Sequence, residues 1–324
     1  MHRIIVSGAG QLGSRHLQGL AKATLPYEIT VIDPSSVSLS TAKVRFDEAY
    51  ASGSLKEARY FTNIREAGLE EADLAIIATN ADIRPVVIEE LLSAIKIKYL
   101  ILEKVVFQSV TVFEQAIKTI KDKNAKAWVN CPRRVWPFYR DMCSELKDAE
   151  NFRMEVKGSD WGMACNSIHF VDLFAFLTGD ALVSVSGHEF DRKMKESKRA
   201  GFFEVTGTIE LRNSKGTCTM SSFEEAGAPL QITIETAEKT FIITEQKGEC
   251  IIYGKETSNP ETIRIPVPYQ SSLTGDVASA ILTEGRCGLT TLEESYLHHK
   301  ALLPILCAHF SRITGREIIN CPIT

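Results

Sequence analysis

The chain of 324 residues is too long for one ordinary core and suits two domains of about 100–200 residues each. Hydrophobic residues make up 44% and charged residues 24% of the sequence, an ordinary balance for a globular protein, and the formal net charge is −4. This charge argues against a nucleic-acid footprint or attraction to an anionic membrane surface, so neither partner is expected. Apolar runs fall short of the ~20 residues that a membrane span needs, and MHRIIVSGAG has no signal-peptide pattern, so we expect a cytoplasmic protein.

The cysteine and histidine spacing predicts no disulfide framework and no metal site. Eight cysteines are scattered without a CxxC pair, which favours reduced thiols. His298 and His299 are adjacent, and adjacent helical residues point apart, whereas a metal-binding pair needs i, i+3 or i+4 spacing.

The first part of the chain alternates short β-rich runs with amphipathic helical patterns. The predicted strands are Arg3–Ser7, Glu28–Asp33, Leu74–Thr79, Tyr99–Glu103 and Lys126–Asn130. The predicted helices are Gln11–Lys22, Ile83–Ala94 and Val110–Lys121. Asp82 is the expected N-cap of the second helix, with Pro85 in its first turn. This alternation predicts a parallel sheet with right-handed crossovers.

Beyond Glu150 the pattern changes to one helix followed by many short strands. The helix Asn166–Leu177 is expected to end at Thr178-Gly179. The predicted strands are Leu182–Glu189, Phe203–Arg212, Thr217–Phe223, Gln231–Thr236, Thr240–Glu245, Glu249–Tyr253 and Thr262–Ile265. Short turns between them predict a largely antiparallel sheet. The predicted fold class is therefore α/β: an N-terminal Rossmann domain (1–125), then an α+β domain (126–324) on one large, mostly antiparallel open sheet, with a C-terminal helix able to pack back on the first domain.

A glycine-rich turn, GAGQLG, joins the first predicted strand to the first helix. Gly8 permits a tight turn, Gly10 lets a pyrophosphate approach the backbone, and Gly13 lets the helix pack close to the sheet. Asp33 ends the second predicted strand, where a carboxylate accepts hydrogen bonds from ribose hydroxyls and repels a 2′-phosphate. Strand, turn, helix and acid together predict a dinucleotide site that prefers NAD over NADP. The alternative is a glycine-rich turn without a ligand.

The dipeptide Glu103-Lys104 ends the strand Tyr99–Glu103, at the edge where open α/β sheets bind ligands. A lysine ammonium there can hydrogen-bond a substrate oxygen and stabilise the negative charge that develops during hydride transfer. The alternative interpretation is a strand-end lysine paired with the neighbouring glutamate.

Four segments in this order and spacing resemble the Gfo/Idh/MocA family of oxidoreductases: GAGQLGSRH, LEKV, NCPRRVWP and SIHFVDLFAFLTG. The resemblance extends over nearly the whole chain, including the closing segment Gly288–Leu306. It implies a Rossmann domain and a second α/β domain whose open sheet often mediates oligomerisation, hence a homodimer or homotetramer. It also implies oxidation or reduction of a hydroxyl on a sugar, inositol or nucleotide sugar with NAD or NADP.

The resemblance also implies residue roles. Lys104 matches the lysine of the family's Glu-Lys-Pro motif, and His169 matches a histidine that acts with it in proton transfer; these are the two predicted catalytic residues. The family's Thr-Pro-Asn loop reads Thr79-Asn80-Ala81 here, a departure that keeps Thr79. The predicted cofactor-binding set is Gly8, Gly10, Gln11, Leu12, Gly13, Asp33, Thr79, Asn80, Glu103 and Lys104.

Four further residues are predicted to contact the substrate. Arg133 and Arg134 occupy positions where family members often carry substrate-binding arginines, although a solvated pair is the alternative. Asn166 and Asp172 lie three residues either side of His169, so they are expected to share its helix face, and Asp172 is expected to orient the imidazole.

The chain departs from the family pattern near the reacting groups. Val105 replaces the proline after the lysine, and Cys165 replaces an aspartate four residues before the histidine. Arg84 stands where a histidine is often seen. These changes leave the cofactor residues intact and put the substrate end in question.

The leading hypothesis is an NAD-dependent dehydrogenase of a sugar, polyol or nucleotide sugar, with surface-polysaccharide synthesis as a candidate setting. A second hypothesis is a non-catalytic dinucleotide-binding sensor or regulator, and Cys165 is the feature that supports it. A third keeps the enzyme but changes the chemistry to imines, pyrroles or halogenated carbons.

Overall fold

A computed structural model describes residues 1–50, 56–147, 149–225, 227–255 and 259–324 of the chain. In chain order the strands are β1 (His2–Ser7), β2 (Tyr27–Ile32), β3 (Lys56–Phe61), β4 (Glu71–Ile77), β5 (Lys96–Leu102), β6 (Lys126–Val129), β7 (Phe152–Ser159), β8 (Ser184–Phe190), β9 (Lys195–Glu196), β10 (Phe203–Glu204), β11 (Gly207–Arg212), β12 (Gly216–Phe223), β13 (Gln231–Glu235), β14 (Lys239–Thr244), β15 (Glu249–Gly254), β16 (Glu261–Arg264) and β17 (Thr290–Thr291). The helices are α1 (Gln11–Lys22), α2 (Ser36–Ala49), α3 (Ile64–Ala67), α4 (Arg84–Ala94), α5 (Val110–Asp122), α6 (Pro137–Glu145), α7 (Met163–Thr178), α8 (Gln270–Glu284) and α9 (Leu292–Thr314).

The chain divides by contact into two compact units. Unit 1 comprises Met1–Phe107, Thr111–Pro132 and Pro268–Glu293, and unit 2 comprises Gln108–Val110, Arg133–Val267 and Glu294–Thr324. The two contact units do not test the domain boundary predicted between residues 125 and 126, which stays a prediction.

Unit 1 is built on a mostly parallel sheet. Its order over the described residues is β17-β6-β5-β4-β1-β2-β3, and only β17 runs antiparallel to its neighbour. The central strands are continuous apolar runs, such as Ile4–Val6 in β1 and Leu74–Ile77 in β4, because helices on both faces bury such strands completely. The five strands predicted here are confirmed, whereas α2, β3 and α3 were not predicted.

Two helix details of unit 1 refine the sequence prediction. Helix α4 begins at Arg84 with Ile83 as its N-cap residue, so the predicted capping role of Asp82 is wrong, while Pro85 does lie in the first turn. Helix α8, distant in sequence, packs against α1 so closely that a Cβ on Gly275 would lie 2.7 Å from the carbonyl oxygen of Gly19. Small residues at this crossing let the two backbones approach.

Unit 2 is built on a larger sheet. Its order in the described part of the chain is β16-β15-β14-β13-β7-β12-β11-β8, with all neighbours antiparallel except β7 and β12. The predicted fold class, a Rossmann-type sheet followed by a mostly antiparallel sheet, is therefore confirmed. The central strand β7 was not predicted, although its buried residues alternate with Arg153, Glu155 and Lys157 in the pattern of a half-buried strand.

Helix α7 covers one face of this sheet. It contacts the sheet through apolar side chains such as Phe174, whose ring lies 5.9 Å from that of Phe152 in β7. It begins at Met163, three residues before the predicted start, and ends at Gly179 as predicted. The earlier start places Cys165 inside the helix, in its first turn. Within the described ranges, no helix is both long and apolar enough to cross a membrane.

Candidate functional site

A cleft of about 1060 Å³ opens at the carboxyl ends of the parallel strands in unit 1. This is the edge at which open α/β sheets bind ligands. Five of the predicted cofactor-binding residues line it: Gly8, Gly10, Asp33, Thr79 and Asn80. The sequence motif and the cleft therefore coincide.

The three motif glycines have separate structural reasons. Gly8 has a φ of +90°, and a Cβ there would lie 2.9 Å from the backbone of Thr79. A Cβ on Gly13 would lie 1.7 Å from the carbonyl oxygen of Gly8, so the turn closes only on a glycine. A Cβ on Gly10 would meet nothing within 4 Å, which leaves open space directly at the start of α1. Gly8 and Gly13 thus shape the turn, whereas Gly10 keeps space in front of it.

The start of α1 presents backbone N–H groups and the positive end of the helix dipole at this open space, an arrangement that suits phosphate groups. Gln11 and Leu12 are the first two residues of the helix. Next to this helix start, the Asp33 carboxylate accepts hydrogen bonds from the backbone N–H groups of Ala9 (2.7 Å) and Ser35 (2.8 Å). The residues present fit a dinucleotide, with the pyrophosphate at α1 and the adenosine ribose at Asp33.

Glu103 lies behind the cleft instead of facing it. The residue is 3% exposed, and its Oε1 lies 2.8 Å from Nε2 of His16 and accepts a hydrogen bond from Asn130. Burial opposes the charged form, but His16, Asn130 and the charge of Arg84 outweigh it and hold the pKa of the Glu103 carboxyl below its ordinary value. The side chain predicted to bind the cofactor therefore holds elements of unit 1 together, while Lys104 beside it is half-buried.

In unit 2, Asn166 and His169 are the half-exposed polar residues of α7, one turn apart on the same face. The Asn166 side chain donates a hydrogen bond to the carbonyl oxygen of Trp161 at 2.9 Å. Cys165 is 7% exposed. Its backbone N–H donates to Oε2 of Glu204 at 3.3 Å, so a carboxylate from β10 lies at the first turn of this helix.

Arg133 is held by an internal carboxylate. Its Nε donates to Oε1 of Glu245 and one terminal nitrogen donates to Oε2, both at 2.7 Å. Its guanidinium lies 4.5 Å from the centre of the Phe170 ring. Tyr139 also donates to Glu245 at 2.7 Å. Despite burial, Arg133 and Tyr139 hold the pKa of the Glu245 carboxyl below its ordinary value. The guanidinium predicted to bind substrate therefore binds the Glu245 carboxylate of the same chain.

Arg134 and Asp172 belong to a second buried cluster. Arg134 donates to Oδ2 of Asp172 at 2.8 Å and to Oε1 of Glu294 at 2.6 Å, and Asp172 is 0% exposed. His298 lies 3.6 Å from Oδ1 of Asp172. Burial, with the charges of Arg134 and His299, lowers the pKa of His298 to about 3, so the imidazole is neutral at pH 7 and this contact is not an ion pair. The Asp172 carboxylate thus pairs with Arg134, and substrate contact by either residue stays a prediction.

Sequence reasoning missed the partners that surround the predicted residues. Glu204 lies 39 positions from Cys165, and Glu245 lies 112 positions from Arg133, so no local pattern connects them. His16 stands within GAGQLGSRH, yet only the tertiary structure reveals its contact with Glu103. Over the described residues, no group of three or more His, Cys, Asp or Glu side chains is arranged to hold a metal ion.

Residues 4–107 match a protein-family model described as the TrkA-N domain. Comparison with curated proteins finds no match.

Several solved structures share the fold over nearly the full length of both chains. UDP-N-acetylglucosamine 3-dehydrogenase GnnA from Acidithiobacillus ferrooxidans is 15% identical, with 98% of each chain covered and a TM-score of 0.68. An oxidoreductase from Agrobacterium radiobacter, solved with NAD+, L-tartaric acid and magnesium, is 15% identical, with 97% of each chain covered and a TM-score of 0.70. A Gfo/Idh/MocA family oxidoreductase from Vibrio cholerae is 13% identical, covering 98% of this chain and 100% of that one, with a TM-score of 0.69. The fold implied by the motif resemblance is therefore confirmed.

Proposed function

We propose that the chain is an NAD-dependent dehydrogenase that interconverts a hydroxyl and a keto carbon on a sugar, polyol or nucleotide sugar. The observation that carries this proposal is the cleft of unit 1, where Gly10 leaves open space at the start of α1 and Asp33 lines the wall. The Asp33 carboxylate suits two ribose hydroxyls and repels a 2′-phosphate, which favours NAD over NADP. Similar folds solved as a nucleotide-sugar dehydrogenase and with NAD+ support the same class.

Bound NAD would supply the hydride acceptor or donor. In the proposed mechanism the ammonium of Lys104 hydrogen-bonds the substrate oxygen and stabilises the negative charge that develops on it. His169 takes or returns the hydroxyl proton, and Asn166, on the same face of α7, orients the substrate. Arg133 and Arg134 are paired with Glu245 and Asp172, so direct contact with an acidic or nucleotide-linked substrate would require those carboxylates to move away.

Glu204 is proposed to supply the carboxylate that the family resemblance leads one to expect at Cys165. Its position at the first turn of α7, where it accepts the Cys165 N–H, supports this assignment. The variant Glu204→Gln keeps the hydrogen bond and removes the charge, so kcat should fall about tenfold with unchanged NAD binding. The matched control is Glu196→Gln, on the neighbouring strand β9. Equal kcat values for Glu204→Gln and Glu196→Gln would contradict a catalytic role for Glu204.

The deciding experiment is a thermal-shift screen with NAD, NADP and a panel of sugars and nucleotide sugars, followed by turnover assays of NADH formation. A ligand that binds the folded state raises the melting temperature by mass action. We expect a larger shift with NAD than with NADP, and turnover with a compound that raises it further. In the double variant Lys104→Met/His169→Ala the NAD shift should persist and turnover should vanish. A larger shift with NADP, or turnover in the double variant, contradicts the proposal.

A second candidate is a dinucleotide-binding sensor without catalysis. It is favoured by Cys165, which replaces the family carboxylate. It is also favoured by the pairing of the Arg133 guanidinium with Glu245, which occupies the group predicted to bind substrate. A sensor would bind NAD normally, turn over no member of the panel and keep its biological activity in the double variant.

The proposal further includes a cytoplasmic location and a homodimer or homotetramer through the large sheet of unit 2. Half-exposed and exposed polar side chains such as Thr217, Thr219 and Ser221 alternate with buried ones along β12, which leaves a face that another copy can cover. Light scattering behind a sizing column measures the assembly, and a monomer at micromolar concentration would contradict it.

A further inference from the structure

Arg84 is among the largest fully buried side chains of the described residues, at 1% exposure. Its guanidinium donates hydrogen bonds to three backbone carbonyl oxygens, those of Thr79, Val105 and Val106, the last at 2.7 Å. A buried charge needs such partners, because burial of an unpaired charge is strongly unfavourable. The planar fork of an arginine can hold several carbonyls in fixed directions, which the single ammonium of a lysine does less well.

These carbonyls belong to two separate segments at the carboxyl edge of the unit 1 sheet. Thr79 lies just beyond β4 and lines the cleft, whereas Val105 and Val106 directly follow Lys104 after β5. The Arg84 side chain therefore ties the backbone on the C-terminal side of Lys104 to the wall of the cleft.

The N-terminal side of Lys104 is anchored by a second buried group. The Glu103 carboxylate contacts Nε2 of His16 at 2.8 Å, and Nδ1 of His16 lies 2.9 Å from the hydroxyl of Thr274. The side chain of Asn130 joins the cluster through Glu103 and through Gln270, at 2.9 Å. The backbone is thus held immediately before and immediately after Lys104.

We propose that Arg84 is a positioning residue for Lys104. Its guanidinium attaches the backbone after Lys104 to the wall of the cleft, and the His16–Glu103 contact holds the backbone before Lys104. This inference rests on the proposed function, in which Lys104 contacts the reacting oxygen. The lysine stem has four rotatable carbons, so its ammonium is placed accurately only if the backbone is fixed. A displacement of about 1 Å at a reacting group costs on the order of 10²-fold in rate.

The test compares Arg84→Lys and Arg84→Met with Ile97→Ala, a cavity variant near the opposite end of β5. The first readout needs no cofactor: competitive amine labelling of the full chain across pH, with the rate at Lys104 read by mass spectrometry. The second is the dissociation constant of NAD by calorimetry, and the third is kcat and KM with the substrate identified in the screen.

In Arg84→Lys we expect a labelling rate at Lys104 that is several-fold higher, an NAD dissociation constant within about threefold of wild type, and a kcat about 10- to 100-fold lower. Arg84→Met should shift the labelling further. Ile97→Ala should lower the melting temperature while leaving the labelling profile and kcat as in wild type. If Arg84→Met does not fold, Arg84→Lys alone decides the matter.

The outcomes separate the two proposals. A labelling profile in Arg84→Lys that matches wild type or the Ile97→Ala control overturns the positioning role, whether or not the wild type is active. Altered labelling together with a wild-type protein that turns over no substrate supports the placement of Lys104 and contradicts the dehydrogenase. Altered labelling with an unchanged kcat overturns the link between placement and catalysis.

Discussion

The two sets of predicted functional residues differ in what their polar groups contact. At the carboxyl edge of the unit 1 sheet, backbone N–H groups and Asp33 face a cleft with open space at Gly10. On unit 2, the guanidiniums of Arg133 and Arg134 are already bound by carboxylates of the chain. The polar groups of the first region face open space, whereas the charged groups of the second are paired within the chain.

This difference follows from the kind of group that each region uses. Backbone N–H groups at a helix start are directed by the fold itself, so they can face open space. A buried guanidinium must find acceptors wherever it lies, and the chain supplies them when no ligand does.

The sharpest test of the unit 2 side is Arg134→Met. The substitution leaves Asp172 and Glu294 as carboxylates without their cation, and breaking a buried pair in this way costs about 3–5 kcal/mol. We expect that loss in the free energy of unfolding by urea titration. Arg140→Met, on the exposed face of α6, is the matched control and should stay within about 0.5 kcal/mol of wild type. A loss below about 1 kcal/mol in Arg134→Met would contradict the stabilising role expected of this cluster.

The same cluster predicts a pH dependence through His298. Both ring nitrogens are buried without a hydrogen-bond partner in the described part of the chain, and the pKa lies at about 3. The ordinary value is about 6.5, so below that pH the unfolded state binds a proton that the folded state does not. Stability therefore falls as the pH drops from about 6.5, by up to about 1.4 kcal/mol per pH unit.

His298→Leu removes this titration and no hydrogen bond. Between pH ~6.5 and ~5, above the range in which ordinary carboxylates titrate, its free energy of unfolding should fall less steeply than that of wild type. Urea titrations at several pH values measure the slope, and His188→Leu at an exposed position is the control. Identical slopes for wild type and His298→Leu would contradict the buried neutral imidazole.

The sequence predicts the unit 1 region better than the unit 2 region for a physical reason. The turn GAGQLG and the following helix are local in the chain, and backbone geometry requires glycine at Gly8 and Gly13. The partners of Arg133 and Cys165 come from segments far away in sequence, so only the tertiary fold reveals them. Strand β7 is a different case, because its alternation of apolar and charged residues is itself the local pattern of a half-buried strand.

In unit 1, substitutions at Gly10 and Gly13 distinguish an effect on NAD binding from an effect on folding stability. In Gly10→Ala the new methyl group meets no protein atom, so the melting temperature should stay near that of wild type. The methyl group occupies the space in front of α1, so NAD affinity should fall at least about tenfold, or 1.4 kcal/mol. Gly13→Ala is the contrast, because its Cβ would collide with Gly8 and both stability and binding should fall. Calorimetry measures the NAD affinity of the two variants, and thermal unfolding measures their stability. Normal NAD binding by Gly10→Ala would mean that the pyrophosphate binds away from the start of α1.

The smallest expected effect concerns the choice between NAD and NADP. Asp33→Asn keeps the size of the side chain and the oxygen that accepts from Ala9, but removes the charge that repels a 2′-phosphate. The ratio of the NADP to the NAD dissociation constant should fall by about tenfold at low salt, and by less at high salt because ions screen the charge. Glu90→Gln removes another carboxylate that lines the cleft, and it should leave the ratio unchanged because Glu90 is not at the predicted ribose position. An unchanged ratio in Asp33→Asn, measured by calorimetry with both cofactors, would mean that the adenosine ribose lies away from the end of β2.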